Sequence, residues 1–197
     1  MYLPAEDSCF LSEILAAYLK TQDKKIKILD SKKILIKNFR GARESFRILD
    51  IGSGTGIQSE TCLKLGFRNI LASDIDSEVI NYLNSKFKNK LRIIKSDLFS
   101  NLKNKFDLII FNPPYLPEDK FDSKLDTTAG KSGNELILRF LKQAKTHLNQ
   151  HGRILILFSS LSKPEIILKT ASKLKYKSKL IASKNLFFEK LFIYEFY

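Results

Sequence analysis

The stretch Asp107-Leu108-Ile109-Ile110-Phe111-Asn112-Pro113-Pro114-Tyr115 passes from an apolar run into a polar turn that contains two prolines. Four consecutive apolar residues, 108–111, are typical of a strand that is buried on both faces, as in a parallel sheet. Pro113 and Pro114 end this strand because neither has a backbone N–H to donate. Open α/β sheets bind their ligands at the carboxyl ends of the strands. The stretch therefore predicts a central strand with a binding site at its end.

The turn that follows this strand offers two hydrogen-bond acceptors and an aromatic ring. Asn112 supplies a side-chain carbonyl oxygen, Pro113 a backbone carbonyl oxygen and Tyr115 a flat face. This set suits a planar –NH2 group, which is either an amide or the exocyclic amine of a base. Acceptors that hold both hydrogens orient the nitrogen, so positioning and electrostatics would supply most of the catalysis. A purely structural interpretation, in which the prolines stop the strand and Asn112 caps the turn, stays open at this point.

Strand and helix patterns alternate from Phe46 onward, which predicts an α/β domain with a mostly parallel sheet. The predicted strands are 46–50, 69–73, 91–95, 106–111, 153–158, 178–183 and 189–196. The predicted helices are a first one within 1–20, with its start at Pro4–Asp7, and later ones over 57–66, 77–87, 134–149 and 164–175. We expect residues 1–197 to form one domain. It would consist of an N-terminal helix and basic segment over 1–45 and a Rossmann-like core over 46–197.

The basic segment, 24–45, contains two short β-prone runs, 26–29 and 34–36, on either side of Asp30-Ser31, which predict a small hairpin. The whole chain carries a formal charge of +13. Such a charge favours nucleic acid, a ribosome or another acidic assembly as a partner. Lysine is nevertheless spread along the chain and does not collect in one aromatic-rich patch, so the charge alone does not decide between a nucleic-acid partner and a bias of composition.

A glycine loop, Asp50-Ile51-Gly52-Ser53-Gly54-Thr55-Gly56, joins a predicted strand to a predicted helix. Gly52, Gly54 and Gly56 allow a tight turn and close approach of the backbone to a ligand. The dinucleotide fingerprint would need a glycine where Ile57 stands, and a phosphate-binding loop would need a Gly-Lys-Ser/Thr ending. The pattern therefore favours a ligand without a pyrophosphate, whose charged amino-acid portion can meet Asp50 and backbone groups. S-adenosylmethionine is such a ligand.

Acidic residues follow the next two strands as well. Asp74 lies 22 residues after Gly52, near the spacing of an acid that binds a ribose hydroxyl. Asp97, or the backbone of the adjoining Leu98, is placed to reach the amino edge of an adenine. Each carboxylate alone has a structural interpretation as a loop or cap residue. Three of them at successive strand ends beside a glycine loop favour a cofactor site.

Several other features point away from further chemistry. Cys9 and Cys62 have no partner spacing, so no disulfide framework or zinc site is expected, and both are predicted to be small buried residues of helices. His147 and His151 are predicted to be surface or capping residues, and no metal site is expected. The run 186–188 and residues 192–197 are predicted to be mostly core, while apolar residues of 91–95 would be exposed without a partner. The absence of a disulfide pattern fits a reducing cytoplasm. The chain also shows neither a signal peptide nor a membrane span.

With the glycine loop, Asn112-Pro113-Pro114-Tyr115 resembles the HemK-like class of S-adenosylmethionine-dependent glutamine methyltransferases. The opening Tyr2-Leu3-Pro4-Ala5-Glu6-Asp7-Ser8 is similar to that of its short archaeal and eukaryotic branch. Later segments, 128–133 with Arg139-Phe140 and 186–189, look like that branch too. The resemblance implies a class I methyltransferase fold with seven strands, an antiparallel late strand and helices on both faces. It implies methylation of the glutamine in the Gly-Gly-Gln loop of a class I release factor. It also implies a small zinc-binding activator subunit as partner, which docks by adding a strand to a sheet edge.

The resemblance also implies roles for individual residues. The cofactor pocket would be lined by Ser8, Asp50, Gly52, Gly54, Gly56, Asp74, Asp97, Leu98 and Asn112. The catalytic stretch would be Asn112, Pro113, Pro114 and Tyr115, in which Asn112, Pro113 and Tyr115 hold the target amide. The chain lacks the N-terminal helical domain of longer bacterial relatives, and its basic segment is longer than the family usually carries. That segment is a candidate contact with RNA or a ribosome.

Two rival functions remain open on the sequence. A nucleic-acid amino-methyltransferase, acting on adenine N6 or guanine N2, would use the same Asn-Pro-Pro-Tyr geometry. It would have to take its base out of the stack or act on a single strand, and it usually carries an added reading domain. The second rival is a scaffold protein that retains the fold without catalysis.

Overall fold

The structure is a computed structural model, and it describes residues 5–30, 43–115 and 133–197. Its helices are α1 Glu6–Asp30, α2 Ile57–Lys64, α3 Ser77–Phe87, α4 Glu135–Ala144 and α5 Pro164–Lys173. Its strands are β1 Ile48–Ile51, β2 Ile70–Asp74, β3 Arg92–Lys95, β4 Phe106–Phe111, β5 Leu148–Ser159, β6 Ser178–Asn185 and β7 Lys190–Phe196. Short 3₁₀ turns, Lys145–His147 and Ser160–Ser162, lie on either side of β5.

All seven strands form one sheet in the order β3-β2-β1-β4-β5-β7-β6. The first five are parallel to one another, and β7 pairs antiparallel with both β5 and β6. β1 and β4 lie at the centre and are buried almost along their whole length, as the apolar runs predict. The chain order therefore reverses between β1 and β4, at the place where open α/β sheets bind ligands.

Helices cover both faces of the sheet and bury two apolar clusters. On one face, α4 and α5 pack against side chains such as Leu49, Ile109 and Ile154. On the other face, α1, α2 and α3 pack against side chains such as Ile48, Leu108 and Leu155. Alternate residues of one strand thus pack into opposite clusters, because successive side chains of a strand point to opposite faces of the sheet. The predicted fold class, with helices on both faces and an antiparallel late strand, is confirmed.

The predicted hairpin in the basic segment is wrong for its first half. α1 continues without a break to Asp30, so 26–29 is helical and not a strand. Lysine and leucine favour helices, and the segment from Lys20 to Leu29 contains neither glycine nor proline to stop one. The second predicted run, 34–36, lies outside the described residues.

The boundaries of β5 and its neighbours also differ from the prediction. The helix expected over 134–149 ends at Ala144, and β5 starts at Leu148 instead of 153. The pairing of β4 with β5 shifts register after Phe106. Gly152 packs closely against this place, because a Cβ built on it would lie 2.7 Å from the Phe106 carbonyl oxygen. The polar stretch 149–152 therefore belongs to an irregular strand, although its composition is that of a loop.

Three predictions about burial need correction. Cys9 is exposed, because it precedes the buried stripe of Phe10, Leu11 and Leu15 on α1; Cys62 is buried as predicted. The side chains of Phe187 and Phe188 are 92% and 86% exposed, so this part of the predicted core lies on the surface. The apolar residues of β3 are half-buried.

The prediction of a single domain over 1–197 stays a prediction. Within the described residues, no helix is both long and apolar enough to cross a membrane.

Candidate active site

The carboxyl ends of the central strands bring three predicted site residues together. Ile51, at the end of β1, pairs with the penultimate residue of β2 and with the last residue of β4. Gly52, Asp74 and Asn112 therefore lie side by side at the carboxyl ends of three neighbouring strands. These three residues come from distant parts of the chain, and the parallel register alone aligns them.

The Asn112 side chain is held by the first turn of α1. Its Nδ2 donates to Asp7 Oδ2 at 3.2 Å and to Ser8 Oγ at 3.1 Å. Its Oδ1 is buried and has no hydrogen-bond partner among the described residues. A buried acceptor without a partner is costly, so it marks a place where a ligand N–H is expected. The two bonds to Nδ2 fix the amide plane and keep Oδ1 available.

The turn after Asn112 is supported from the end of β5. Pro113 is buried, and Pro114 and Tyr115 are half-buried. The Tyr115 carbonyl accepts a hydrogen bond from Ser162 Oγ at 2.9 Å, and the Ser162 carbonyl in turn accepts one from Asn134 Nδ2 at 3.2 Å. The Tyr115 ring packs against the apolar cluster that contains α1. The backbone of the turn is therefore fixed at both ends.

The glycine loop is tied directly to Asp74. Gly52, Gly54 and Gly56 all have positive φ, between 50° and 74°, a region that favours glycine. The Gly54 N–H donates to Asp74 Oδ2 at 3.0 Å, and Ser53 Oγ donates to the Ser73 carbonyl at 2.9 Å. A Cβ built on Gly54 would meet no atom within 4 Å, so the loop is open on the side where a ligand would lie.

Replacing Gly56 by alanine should destabilise the protein more than replacing Gly54 does. An added Cβ at Gly56 would lie 2.6 Å from the Phe87 ring and 2.8 Å from Leu83, at a φ of +74°. We expect a loss of about 2–4 kcal/mol in the free energy of unfolding, from strain and overpacking together. Gly54→Ala is the matched control, because it meets only the backbone strain of about 1–2 kcal/mol. Urea denaturation of both variants measures the difference, and equal losses would contradict the packing assigned to Gly56.

The Asp50 carboxylate binds Ser59, in the first turn of α2. Its Oδ2 accepts hydrogen bonds from the Ser59 N–H at 3.0 Å and from Ser59 Oγ at 2.7 Å, and the residue is 2% exposed. Burial raises the pKa of this carboxyl from 3.8 to about 7, although the bonds from Ser59 act in the opposite direction. The predicted contact of Asp50 with the charged part of a ligand stays a prediction. A cationic ligand group would favour the ionised carboxylate.

Asp50→Asn should make stability less dependent on pH. Because the folded-state pKa of Asp50 is raised, the folded protein binds a proton that the unfolded chain releases between about pH 4 and pH 7. This carboxyl therefore lowers the free energy of unfolding as pH rises through that window, by an amount on the order of a few kcal/mol. Asparagine keeps an acceptor for Ser59 and removes the titration. Urea denaturation without ligand at several pH values tests this, with exposed Asp76→Asn as control. An unchanged pH slope in Asp50→Asn would contradict it.

Asp97, the carboxylate predicted to face an adenine, binds a cationic side chain. It follows β3 by two residues, and its carboxylate accepts hydrogen bonds from both terminal nitrogens of Arg139 at 2.6 and 2.9 Å. The pair is about half exposed. Leu98 has a φ of +46°, and its carbonyl accepts a hydrogen bond from Ser96 Oγ. The Ser96 N–H donates to the Asp74 carbonyl, which ties this loop to β2.

Four supporting residues had no predicted role. Asp7 accepts a hydrogen bond from Asn112 Nδ2, and Ser162 donates one to the Tyr115 carbonyl. Arg139 holds the Asp97 carboxylate. Gln58 donates to the Ser8 carbonyl at 2.9 Å, and its Oε1 is buried with no partner in the described part of the chain. Asp7 was detectable, since it adjoins Ser8 in the opening motif. The others depend on packing between distant elements, which a single sequence does not show.

A cleft of about 530 Å³ lies between α1 and α2. Phe10, Thr61 and Lys184 are among its lining residues, and the exposed Cys9 thiol belongs to it as well. None of the loop glycines and none of Asp74, Asp97 and Asn112 line it. It is therefore separate from the predicted cofactor site.

Comparison with known proteins places the chain in a family. The family model of the methyltransferase small domain matches residues 24–185. The chain belongs to this methyltransferase family. The matched range contains the glycine loop, Asp74, Asp97 and the Asn-Pro-Pro-Tyr turn. Asp7 and Ser8, which hold Asn112, lie before the matched range.

Two relatives show the range of this methyltransferase's similarities. A candidate protein N5-glutamine methyltransferase of Methanocaldococcus jannaschii is 34% identical over 168 residues, which cover 81% of this chain and 85% of the relative. A release factor glutamine methyltransferase of Rhodopirellula baltica is 31% identical over 140 residues, which cover 61% of this chain and 47% of the relative. This methyltransferase thus spans about half the length of the second relative.

The solved structure of the E. cuniculi Mtq2–Trm112 complex, responsible for methylation of the eRF1 translation termination factor, has the same fold. It superposes with a TM-score of 0.70 at 19% identity, and the match covers 99% of this chain and 96% of the other. At that identity the likeness shows the fold of this methyltransferase and not its substrate.

Proposed function

We propose that this chain transfers a methyl group from S-adenosylmethionine to the side-chain amide nitrogen of a glutamine, in the Gly-Gly-Gln loop of a class I translation termination factor. The observation that carries the proposal is the buried Asn112 Oδ1 without a partner. It lies beside Pro113 and Tyr115 at the carboxyl end of a central strand. An amide –NH2 supplies the donor that this oxygen lacks.

The cofactor side of the site fits S-adenosylmethionine. Gly54 leaves open space in front of the loop, and Asp74 ends β2 with a carboxylate suited to a ribose hydroxyl. Asp50 and Ser8 would face the amino-acid portion, and Asp97 with Leu98 would face the adenine. When bound, this cofactor supplies an electrophilic methyl group on a sulfonium.

The residues of the chain would act mainly by positioning. Asn112 Oδ1 and the Pro113 carbonyl would accept the two hydrogens of the amide, while the Tyr115 ring lies against its plane. Gripping both N–H groups orients the nitrogen and favours its pyramidalisation as the new N–C bond forms. The S–C bond breaks at the same time, and the surplus proton of the nitrogen is lost to solvent. No step of this scheme requires a strong base.

The relatives support a protein amide as substrate. One relative is named for protein N5-glutamine methylation and the other for release factor glutamine methylation, and the structural neighbour methylates a termination factor. That neighbour is a complex, which supports a small activator subunit here too. We propose that the activator binds zinc and adds a strand at β3, the edge strand of the sheet next to β2. The activity would take place in the cytoplasm, where termination factors work.

Methylation of a nucleic-acid amine is the second candidate. The same acceptors fit the exocyclic amine of adenine or guanine, and the charge of +13 favours an acidic polymer. The basic segment 24–45 would then be its reading surface or a contact with the ribosome. Such an enzyme has to expose its base, which costs unstacking energy.

A methyl-transfer assay with labelled S-adenosylmethionine decides between these candidates. It offers a class I termination factor, the same factor with Gly-Gly-Gln changed to Gly-Gly-Ala, RNA and DNA, each with and without the activator subunit. We expect label in the unchanged factor and none in the variant. Label in nucleic acid alone would refute the amide proposal. Failure to transfer label to any substrate, in the presence of the activator, would refute both.

A further inference from the structure

Two adjacent phenylalanines stand exposed at the tip of the β6–β7 hairpin. Phe187 is 92% and Phe188 86% exposed, and they are the most exposed large apolar residues in the described part of the chain. The Leu186 N–H donates to the Glu189 carbonyl at 2.8 Å, which closes the turn and directs its two middle residues outward. Their ring centroids are 4.6 Å apart and the planes meet at 83°. The tip is therefore an ordered apolar projection.

This tip stands beside the candidate active site. β7 begins next to the carboxyl end of β5, where Leu191 pairs with Ser159. The Lys190 N–H donates to Ser160 Oγ at 3.0 Å, and two residues later Ser162 binds the Tyr115 carbonyl. The base of the turn is thus connected to the substrate side of the site through one short 3₁₀ turn.

The first turn of α1 connects the hairpin to the site from the other side. Lys184 of β6 forms an ion pair with Glu6 at 2.7 Å, and Glu6 directly precedes the residues that hold Asn112. The Leu186 side chain packs against the same apolar cluster as the Tyr115 ring. The hairpin tip therefore forms part of the rim around the Asn-Pro-Pro-Tyr turn.

We propose that Phe187 and Phe188 form a docking surface for the protein substrate, next to the loop that carries the target glutamine. This inference rests on the proposed function, because it assumes that the substrate is a folded protein. A short glutamine loop offers few contacts of its own, so a protein substrate needs a second contact outside the site. Exposed aromatic residues beside an active site supply such contacts with apolar pockets of a partner.

The local chemistry favours protein over nucleic acid as the occupant. Successive bases stack on parallel aromatic faces, whereas the planes of Phe187 and Phe188 meet at 83° and form no flat platform. The lysines on either side of the tip are engaged within the chain. Lys184 pairs with Glu6 and lies over the Phe10 ring, and Lys190 lies over the Phe192 ring. The tip therefore presents apolar surface without a strong positive charge directed outward.

The test compares steady-state methylation of a full-length class I termination factor by the natural chain and by the double variant Phe187→Ser with Phe188→Ser, both with the activator. We expect the KM for the factor to rise about tenfold or more, while kcat and the dissociation constant of S-adenosylhomocysteine change little. Because both side chains are exposed, the melting temperature should be unchanged. Replacement of both residues by leucine should restore part of the affinity, since leucine keeps the apolar surface.

Leu180→Ser is the matched control, since Leu180 is a 46% exposed apolar residue of the same β6 strand, away from the hairpin tip. It should leave the KM for the factor unchanged. An unchanged KM in the double variant would overturn the docking proposal while the proposed function stands. Lack of methylation by the natural chain would instead refute the proposed function. If the double variant keeps its KM but no longer co-elutes with the activator, or no longer binds a labelled single-stranded RNA, the tip contacts that partner and not the protein substrate.

Discussion

Asn112→Ala is expected to lower kcat for methyl transfer by about 10²- to 10³-fold, the usual cost of losing one preorganised group at a reacting centre. The variant removes the buried Oδ1 acceptor and both hydrogen bonds to α1. Asn112 is only half-buried, so the fold should survive and cofactor binding should change much less than turnover. Steady-state transfer to a termination factor, with the activator present and both the factor and the cofactor saturating, measures the effect.

The control for this variant is Asn149→Ala. Asn149 belongs to β5 and donates to Asp107 Oδ1 at 2.6 Å, at the opposite end of the same pair of strands. Asn149→Ala should leave kcat unchanged. It is a matched control because it also replaces an asparagine by alanine and removes a side-chain hydrogen bond between two elements. Near-normal activity in Asn112→Ala would refute the amide clamp. Ser8→Ala should show an intermediate loss, because it removes only one of the two acceptors that orient Nδ2.

Asp74→Ala is expected to raise the dissociation constant of S-adenosylmethionine by about 10- to 100-fold, as for a hydrogen bond to a charged group. Its carboxylate would hold the ribose, and it also accepts the Gly54 N–H and the Asp76 N–H. Equilibrium titration of the cofactor measures the loss, and an unchanged constant would refute the ribose role.

A cofactor analogue separates a ribose contact from support of the glycine loop. The 2′-deoxy form of S-adenosylhomocysteine should bind more weakly than the parent to the natural chain but equally well to Asp74→Ala. Two changes that remove the same contact are not additive. Additive losses would indicate that Asp74 acts only by holding the loop. Asp74→Asn, which retains one oxygen, should lose less affinity than the alanine variant.

The fold and the centre of the site were predictable because they depend on local patterns. Apolar runs such as 108–111 and the alternation with helices predict a parallel sheet, and parallel strands place their carboxyl ends together. Gly52, Asp74 and Asn112 each follow a strand, so the sequence alone placed them at one edge. The structure aligns them as expected.

The features that were not predictable depend on contacts between distant residues or on single turns. Phe187 and Phe188 have the composition of a core, but a four-residue turn directs them outward. The partner of Asp97 is Arg139, 42 residues away on α4, and no local pattern indicates that pairing. The helical pattern around Cys9 predicts a buried residue, although the buried stripe of α1 starts one residue later, at Phe10. The irregular start of β5 contains polar residues and a glycine, so its composition indicates a loop.

The hydrogen bond between α1 and β7 has a consequence for the order in which the protein is made. Tyr18 of α1 donates to Glu195 of β7 at 2.6 Å, across 177 residues. At ribosomal rates of about 5–20 residues per second, α1 waits roughly 10 to 35 seconds for that partner to be synthesised. α1 also carries Asp7 and Ser8, which orient Asn112. α1 is therefore translated before every strand of the described sheet, and the helix that orients Asn112 gains its bond to β7 only after Glu195 has been synthesised.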